Sequence, residues 1–145
     1  MFLKEVINMK LNITIAGGGS TYTPGILIGM IKKRTTFPIK KLVLYDNDEK
    51  RVTEMGKFSQ ILLRDFYPEA EVIYTTDKKT AFEDVDYVFC QIRTGKLKMR
   101  EGDEKIPIKY GVIGQETCGP GGFSYGMRSI KDMIELVKDI RTYSK

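Results

Sequence analysis

The stretch Leu11–Gly25, LNITIAGGGSTYTPG, reads as a β-strand that runs into a glycine turn and out into a helix. Leu11–Ala16 (LNITIA) is a short β-rich run that ends in Gly17-Gly18-Gly19. Pro24–Lys33 follows, with Ile26, Leu27, Met30 and Ile31 at the spacing of one buried helix face. Pro24 suits the first helical turn, where an amide hydrogen would have no partner in any case. Glycines between a strand and a helix let the backbone approach a pyrophosphate, which then sits on the helix N-terminus. Gly17 and Gly19 fill the first two positions of the dinucleotide fingerprint, while Tyr22 stands at the third. Gly18 lies between them, and Ser20, Thr21 and Thr23 supply hydroxyls and N–H donors in place of the last glycine. A bulkier residue at Gly19 is expected to stand where the pyrophosphate approaches. A plain structural turn is the alternative reading of this loop.

Working outward, the alternation continues. Lys41–Tyr45 reads as a second strand, closed by Asp46-Asn47-Asp48. Val52, Met55, Phe58/Ser59, Leu62 and Phe66 recur at helical spacing and predict a long helix that Pro68 stops. Glu71–Tyr74 is a third strand, Thr80–Phe82 a short helical turn, and Tyr87–Ile92 a fourth strand. A last helix is predicted over Ser129–Arg141 from Ile130, Met133, Ile134, Val137 and Ile140. Strands alternating with helices predict an α/β fold, a doubly wound parallel sheet of Rossmann type. Thr94–Arg128 is assigned no clear element, and a loop of that length inside a domain is usually functional. The chain stops after a helix, where a doubly wound sheet calls for another strand, so the domain is expected to be truncated before its last strands. Residues 1–10 are read as an extension and the start of the first strand, with Met9 as the natural start. Residues 11–145 are read as an incomplete dinucleotide-binding domain.

Composition removes other classes. In 145 residues, 41% hydrophobic and 30% charged side chains fit one globular domain rather than disorder. No apolar run approaches the roughly 18 residues of a membrane-spanning helix. Met1–Asn8 is too polar for a signal-peptide core. Cys90 and Cys118 cannot build a disulfide framework, so reduced thiols in a cytoplasm are expected. The net charge of +5 suits anionic small molecules and is too mild to argue nucleic acid. Histidine is absent, so no mechanism with a histidine base or metal ligand is completed within these residues.

Two further features carry chemistry. Asp46, at the carboxyl end of the second strand, is placed to accept hydrogen bonds from ribose hydroxyls. An acid there favours NAD over NADP, although Lys50 and Arg51 leave NADP open, and a solvated turn acid is the bland alternative. After the fourth strand, Arg93, Lys96, Lys98 and Arg100 form a cationic cluster able to hold a phosphate or carboxylate. For Lys96 and Lys98 a solvated loop is the preferred reading. Gln115, Glu116 and Thr117 lie in a glycine-rich segment that can line a site. Cys118 is read as a small packed side chain rather than a nucleophile.

The blocks AGGGSTYTPG, LYDNDEKR and QIRTGKLKMREGDEKIPIKYGVIGQETCGPGGFSYGMRSI together resemble glycoside hydrolase family 4, over Leu11 to Ser144. DNDEKR, YTTD, DEKIP and QETCGPGG are similar to its 6-phospho-α-glucosidase branch, whose substrates are phosphorylated disaccharides such as maltose 6'-phosphate. A 6-phospho-β-glucosidase of the same family is the nearest alternative. A stand-alone NAD-binding module and an ordinary NAD-dependent dehydrogenase are the alternatives from other classes. The resemblance implies hydrolysis by NAD-dependent oxidation, elimination, addition and reduction, a recorded exception to two-carboxylate chemistry. It implies NAD at Gly17, Gly18, Gly19, Ser20, Thr21, Thr23 and Asp46. It places Arg100, with Arg93 close by, on the substrate. It makes Glu116 the acid that raises the basicity of a tyrosine base outside this chain. The Mn²⁺ ligands, the catalytic and metal domain and the tyrosine base are implied to lie beyond residue 145. The 145 residues alone are therefore expected to hydrolyse nothing. The full-length enzyme is expected to be a cytoplasmic homo-oligomer with no nucleic-acid or membrane partner.

Overall fold

The computed structural model describes residues 10–144. The extension expected over residues 1–10 therefore lies outside the described residues, except for Lys10, which precedes the first strand. The chain divides into two compact units, one reaching to Ile92 and taking in the end from Arg141, the other Arg93–Ile140.

The first unit is built on four parallel strands: β1 (Leu11–Ala16), β2 (Ile39–Tyr45), β3 (Glu71–Thr75) and β4 (Tyr87–Cys90). Their order is β3-β2-β1-β4, the arrangement expected of a doubly wound sheet. Between them run α1 (Thr23–Lys32), α2 (Glu49–Phe66) and α3 (Lys78–Phe82). Side chains alternate across a strand, so the register separates two faces. Ile13 pairs with Leu42 and Ile15 with Leu44, and these four join Leu27 and Met30 of α1 and Val52 and Leu63 of α2 in one buried cluster. On the other face, buried Thr14 donates its hydroxyl to the Ala81 carbonyl, and the Tyr45 and Phe82 rings meet edge to face at 5.1 Å. Helices thus cover both faces. Asp48 caps α2 by accepting from the Arg51 amide at 3.2 Å, and Asp77 caps α3 by accepting from the Thr80 amide at 2.7 Å. That bond holds the Asp77 carboxyl below its ordinary value. Within α2, Gly56 lies so close to β3 that a Cβ there would fall 2.2 Å from the Tyr74 ring.

In the second unit, α4 (Lys96–Ile108) and the first turns of α5 (Pro120–Tyr143) lie where a loop was expected, while the rest of α5 covers the predicted helix Ser129–Arg141. This corrects the assignment of Thr94–Arg128 to no element. The helix signal was missing for physical reasons. No residue of α4 is buried, so its apolar positions follow no single face, and Pro107 stands in its last turn. The first turns of α5 contain Gly121, Gly122 and Gly126, poor helix formers. The fourth strand is also shorter than the predicted Tyr87–Ile92, because Gln91 leaves the ladder.

Candidate functional site

In the first unit, Ala16 pairs with Tyr45 on one side and with Cys90 on the other. Gly17, Asp46 and Gln91 therefore leave the sheet at one edge, the carboxyl edge at which open α/β sheets bind ligands. The amides of Gly17 and Gly18 both donate to the Tyr45 carbonyl at 2.8 Å. The Gly19 amide donates to Asp46 Oδ2 at 3.0 Å, and the Asp48 amide to Oδ1 at 3.0 Å. Arg51 closes the loop from the other side, with Nε and Nη2 donating to the Gly19 carbonyl at 3.2 and 3.1 Å. Each carboxylate oxygen keeps a second lone pair, so Asp46 can hold the loop and still accept from a hydroxyl.

The glycines are demanded by this packing. Gly17 has a φ of +85°, and a Cβ on it would meet the Gln91 carbonyl oxygen at 2.8 Å. A Cβ on Gly19 would stand 2.8 Å from Arg51 Cβ and 2.9 Å from Asp46 Oδ2. Besides the expected obstruction of a pyrophosphate, a side chain at Gly19 would push the loop off its own acid. Thr23 is fully buried, its hydroxyl donating to the Gly18 carbonyl at 2.8 Å and accepting from Gln91 Nε2 at 2.8 Å. It shapes the loop from beneath. The Ser20 hydroxyl accepts from the Tyr22 amide at 3.2 Å, and Thr21 is exposed.

Two observations bear on what the loop can hold. No side chain caps the N-terminus of α1, and its first turn carries no acid, so its amide hydrogens favour an anion. Gln91 Nε2 also donates to the Gly17 carbonyl at 3.1 Å, while Gln91 Oε1 is buried without a partner among the described residues. A buried acceptor left in that state under a loop fits a donor brought by a ligand or water.

In the second unit, Arg93, Arg100 and Glu116 come together. Arg93 Nη1 donates to Glu116 Oε1 at 2.8 Å, and Arg100 Nη2 to Glu116 Oε2 at 2.7 Å. Arg100 Nε reaches Glu104 at 2.8 Å. The Arg93 guanidinium lies over the Tyr125 ring, 5.6 Å from its centroid. Arg128 grips the Asp103 carboxylate with both terminal nitrogens, Nη1 at 3.1 Å, and its Nε donates to the Thr94 carbonyl at 3.3 Å. That hydrogen bond holds the Asp103 carboxyl below its ordinary value and raises Arg128. Arg93, Lys96, Arg100, Asp103, Glu116 and Arg128 share one small pocket whose half-exposed guanidinium groups can receive a phosphorylated ligand. Cys118 is exposed, not packed as expected, and its amide donates to Gln115 at 2.7 Å. The expected residues thus gather in two places, the loop set with Asp46 in one unit and the arginine set with Glu116 in the other. Sequence reading weighed Arg51 only for NADP and passed over Gln91, Tyr125 and Arg128. Only the last two carried a signal, their helical spacing on α5. Among the described residues no three His, Cys, Asp or Glu side chains stand together as a metal site, and no helix is long and apolar enough to cross a membrane.

Residues 12–145 match the family model described as family 4 glycosyl hydrolase. The phospho-α-glucosidase PagL of Clostridium acetobutylicum is 54% identical over 136 residues, which are 93% of this chain and 31% of that protein. The chain thus spans about a third of the length of that curated relative. A 6-phospho-α-glucosidase from gut microorganisms, solved in complex with NAD and Mn²⁺, superposes with a TM-score of 0.89 at 49% identity, over 94% of this chain and 32% of that one. The 6-phospho-β-glucosidase of Thermotoga maritima, solved with NAD and glucose 6-phosphate, gives 0.84 at 38% identity, over 94% and 32%.

Proposed function

The chain belongs to family 4 of the glycosyl hydrolases, and we propose that it forms the N-terminal, cofactor-binding part of a 6-phospho-α-glucosidase acting on phosphorylated disaccharides of the maltose 6'-phosphate type. The observation that carries the branch is the gap in identity, 54% and 49% to the α-enzymes against 38% to the β-enzyme. The relatives' NAD complexes support the cofactor, and the orphaned Gln91 Oε1 under a tightly built glycine loop fits it.

Gly17–Thr23 would seat the pyrophosphate on the uncapped N-terminus of α1, with Asp46 accepting from the adenosine ribose. When bound, NAD supplies a reversible hydride acceptor for the sugar. Mn²⁺, present with the α-enzyme, finds no cluster of ligands among the described residues. Arg100 and Arg93 hold the substrate, their forked guanidinium groups matching phosphate oxygens. Glu116 keeps its proposed task of raising the basicity of a tyrosine outside this chain, and its carboxylate also binds the two arginines to each other. A cytoplasmic, homo-oligomeric enzyme belongs to the same reading.

The test is an anomer comparison. An enzyme carrying this chain as its N-terminal part is assayed with NAD and Mn²⁺ on the two p-nitrophenyl 6-phosphoglucosides. Preference for the α anomer supports the proposal; preference for the β anomer overturns the branch and leaves the family standing.

A further inference from the structure

We propose that one face of α5, made of Tyr125, Arg128 and Asp132, is a positioning element that sets Arg93 against Glu116, an inference that rests on Arg93 and Arg100 being the sugar-phosphate site. Residues 125, 128 and 132 follow one another by three and by four positions, so a helix presents them on one side. Each engages the segment that leads into α4. Tyr125 lies beneath the Arg93 guanidinium, 5.6 Å from ring centroid to carbon. Arg128 Nε donates to the Thr94 carbonyl at 3.3 Å. The Thr94 hydroxyl donates to Asp132 Oδ2.

This grip falls on a segment that regular secondary structure does not hold. Gln91–Arg93 belongs to no strand or helix, and Thr94-Gly95 is a turn. Gly95 has a φ of +84°, and a Cβ on it would meet Met99 side-chain atoms and lie 3.1 Å from Arg128 Nε. Arg128 is itself anchored. Its pair with Asp103 is largely shielded, at 21% and 12% side-chain exposure. The helix thus has one partly buried ion pair as an anchor, two hydrogen bonds on Thr94 and one aromatic face under Arg93. A guanidinium tied to Glu116 at one nitrogen and laid on a ring at its face keeps its other donors in a set plane. Such pre-orientation lowers the ordering cost when an anion binds. Tyr125, Arg128 and Asp132 are positioning residues, since each acts through Arg93 or Thr94.

The experiment follows the Arg93 side-chain Nε–H signal by NMR in this chain and titrates glucose 6-phosphate as the probe. Tyr125→Leu removes the ring and should move the Arg93 signal and speed its exchange with water; Tyr125→Phe should restore both. Asp132→Ala, which frees Thr94, should also move the signal. Affinity for glucose 6-phosphate should fall roughly two- to fivefold in Tyr125→Leu, the scale of an exposed cation–π contact. It should stay near the parent value in Tyr125→Phe, with NAD⁺ affinity the same throughout. An Arg93 signal unmoved in both Tyr125→Leu and Asp132→Ala, with unchanged circular dichroism, overturns the proposal. If the parent chain takes up no glucose 6-phosphate, the substrate reading fails for this chain, and the Arg93 signal alone still decides the positioning role.

Discussion

The Gly19 amide donates to the Asp46 carboxylate at 3.0 Å, so the acid that ends β2 also fastens the glycine loop. A residue read as a ligand contact is at the same time part of the loop's own structure. On the proposed reading, loop shape and cofactor preference are coupled through one side chain.

That coupling makes Gly19→Ala informative. The added Cβ would stand 2.8 Å from Arg51 Cβ and 2.9 Å from Asp46 Oδ2. Overpacking of this kind costs about 1–3 kcal/mol. Thermal unfolding should show that loss without any ligand, and NAD⁺ titration should show binding reduced as well. Full stability with binding alone abolished would restore the view that Gly19 only leaves room for the pyrophosphate.

Two other glycines should respond with opposite signs. Gly56→Ala brings a Cβ to 2.2 Å from the Tyr74 ring, so its gain in helix propensity is outweighed by a clash. A net destabilisation of roughly 1–2 kcal/mol is expected. At Gly29, in α1, a Cβ meets nothing within 4 Å, and Gly29→Ala should stabilise by about 0.5–1 kcal/mol. Chemical denaturation of the two variants checks the pair, and equal signs would contradict the packing described for α2 on β3.

Arg100 bonds Glu116 at 2.7 Å and Glu104 at 2.8 Å through different nitrogens. Arg100→Lys keeps the charge and loses that fork. Glucose 6-phosphate binding should weaken by about 1.5–3 kcal/mol, the range for a hydrogen bond to a charged group. NAD⁺ affinity should not change. A variant that binds the sugar phosphate as tightly as the parent would remove Arg100 from the substrate site.

Acid should act on the second unit through Asp103. Its hydrogen bond from Arg128 holds the carboxyl below the ordinary 3.8. A lowered folded-state value means the ionised form is the one stabilised by folding. The contribution is complete above the ordinary aspartate range and is lost as pH falls through the lowered value. Asp103→Asn should therefore be less stable at neutral pH and should lose less of its stability at the acid end. Parallel pH profiles for the parent and the variant would contradict this assignment.

The first unit was legible because burial writes a pattern. Ile13, Ile15, Leu42 and Leu44 must face the same helices, and a strand with such a demand alternates visibly. The glycine loop was legible for a related reason, since Gly17 and Gly19 tolerate no Cβ where they sit. The second unit left less trace. Leu97, Met99, Ile106 and Ile108 of α4 are all exposed, so no buried face organises their spacing. Arg93 and Arg100 stood out as cations after a strand and Glu116 in a glycine-rich segment, with their roles given by resemblance, whereas their supports on α5 are ordinary polar helix residues until the fold brings Tyr125 beneath Arg93. Gln91 looked like the end of a strand, and only the turn of the loop over it shows its amide joining Gly17 to Thr23.

Calorimetric titration of this chain with NAD⁺ and with NADP⁺ tests the central claim most directly, because Asp46 faces the sheet edge with both oxygens fixed by backbone amides. The account predicts that NAD⁺ binds and that NADP⁺ binds more weakly, its extra phosphate meeting the Asp46 carboxylate. It also predicts that Asp46→Asn narrows the difference. Equal or tighter binding of NADP⁺, or no binding of either cofactor to a folded chain, would contradict it.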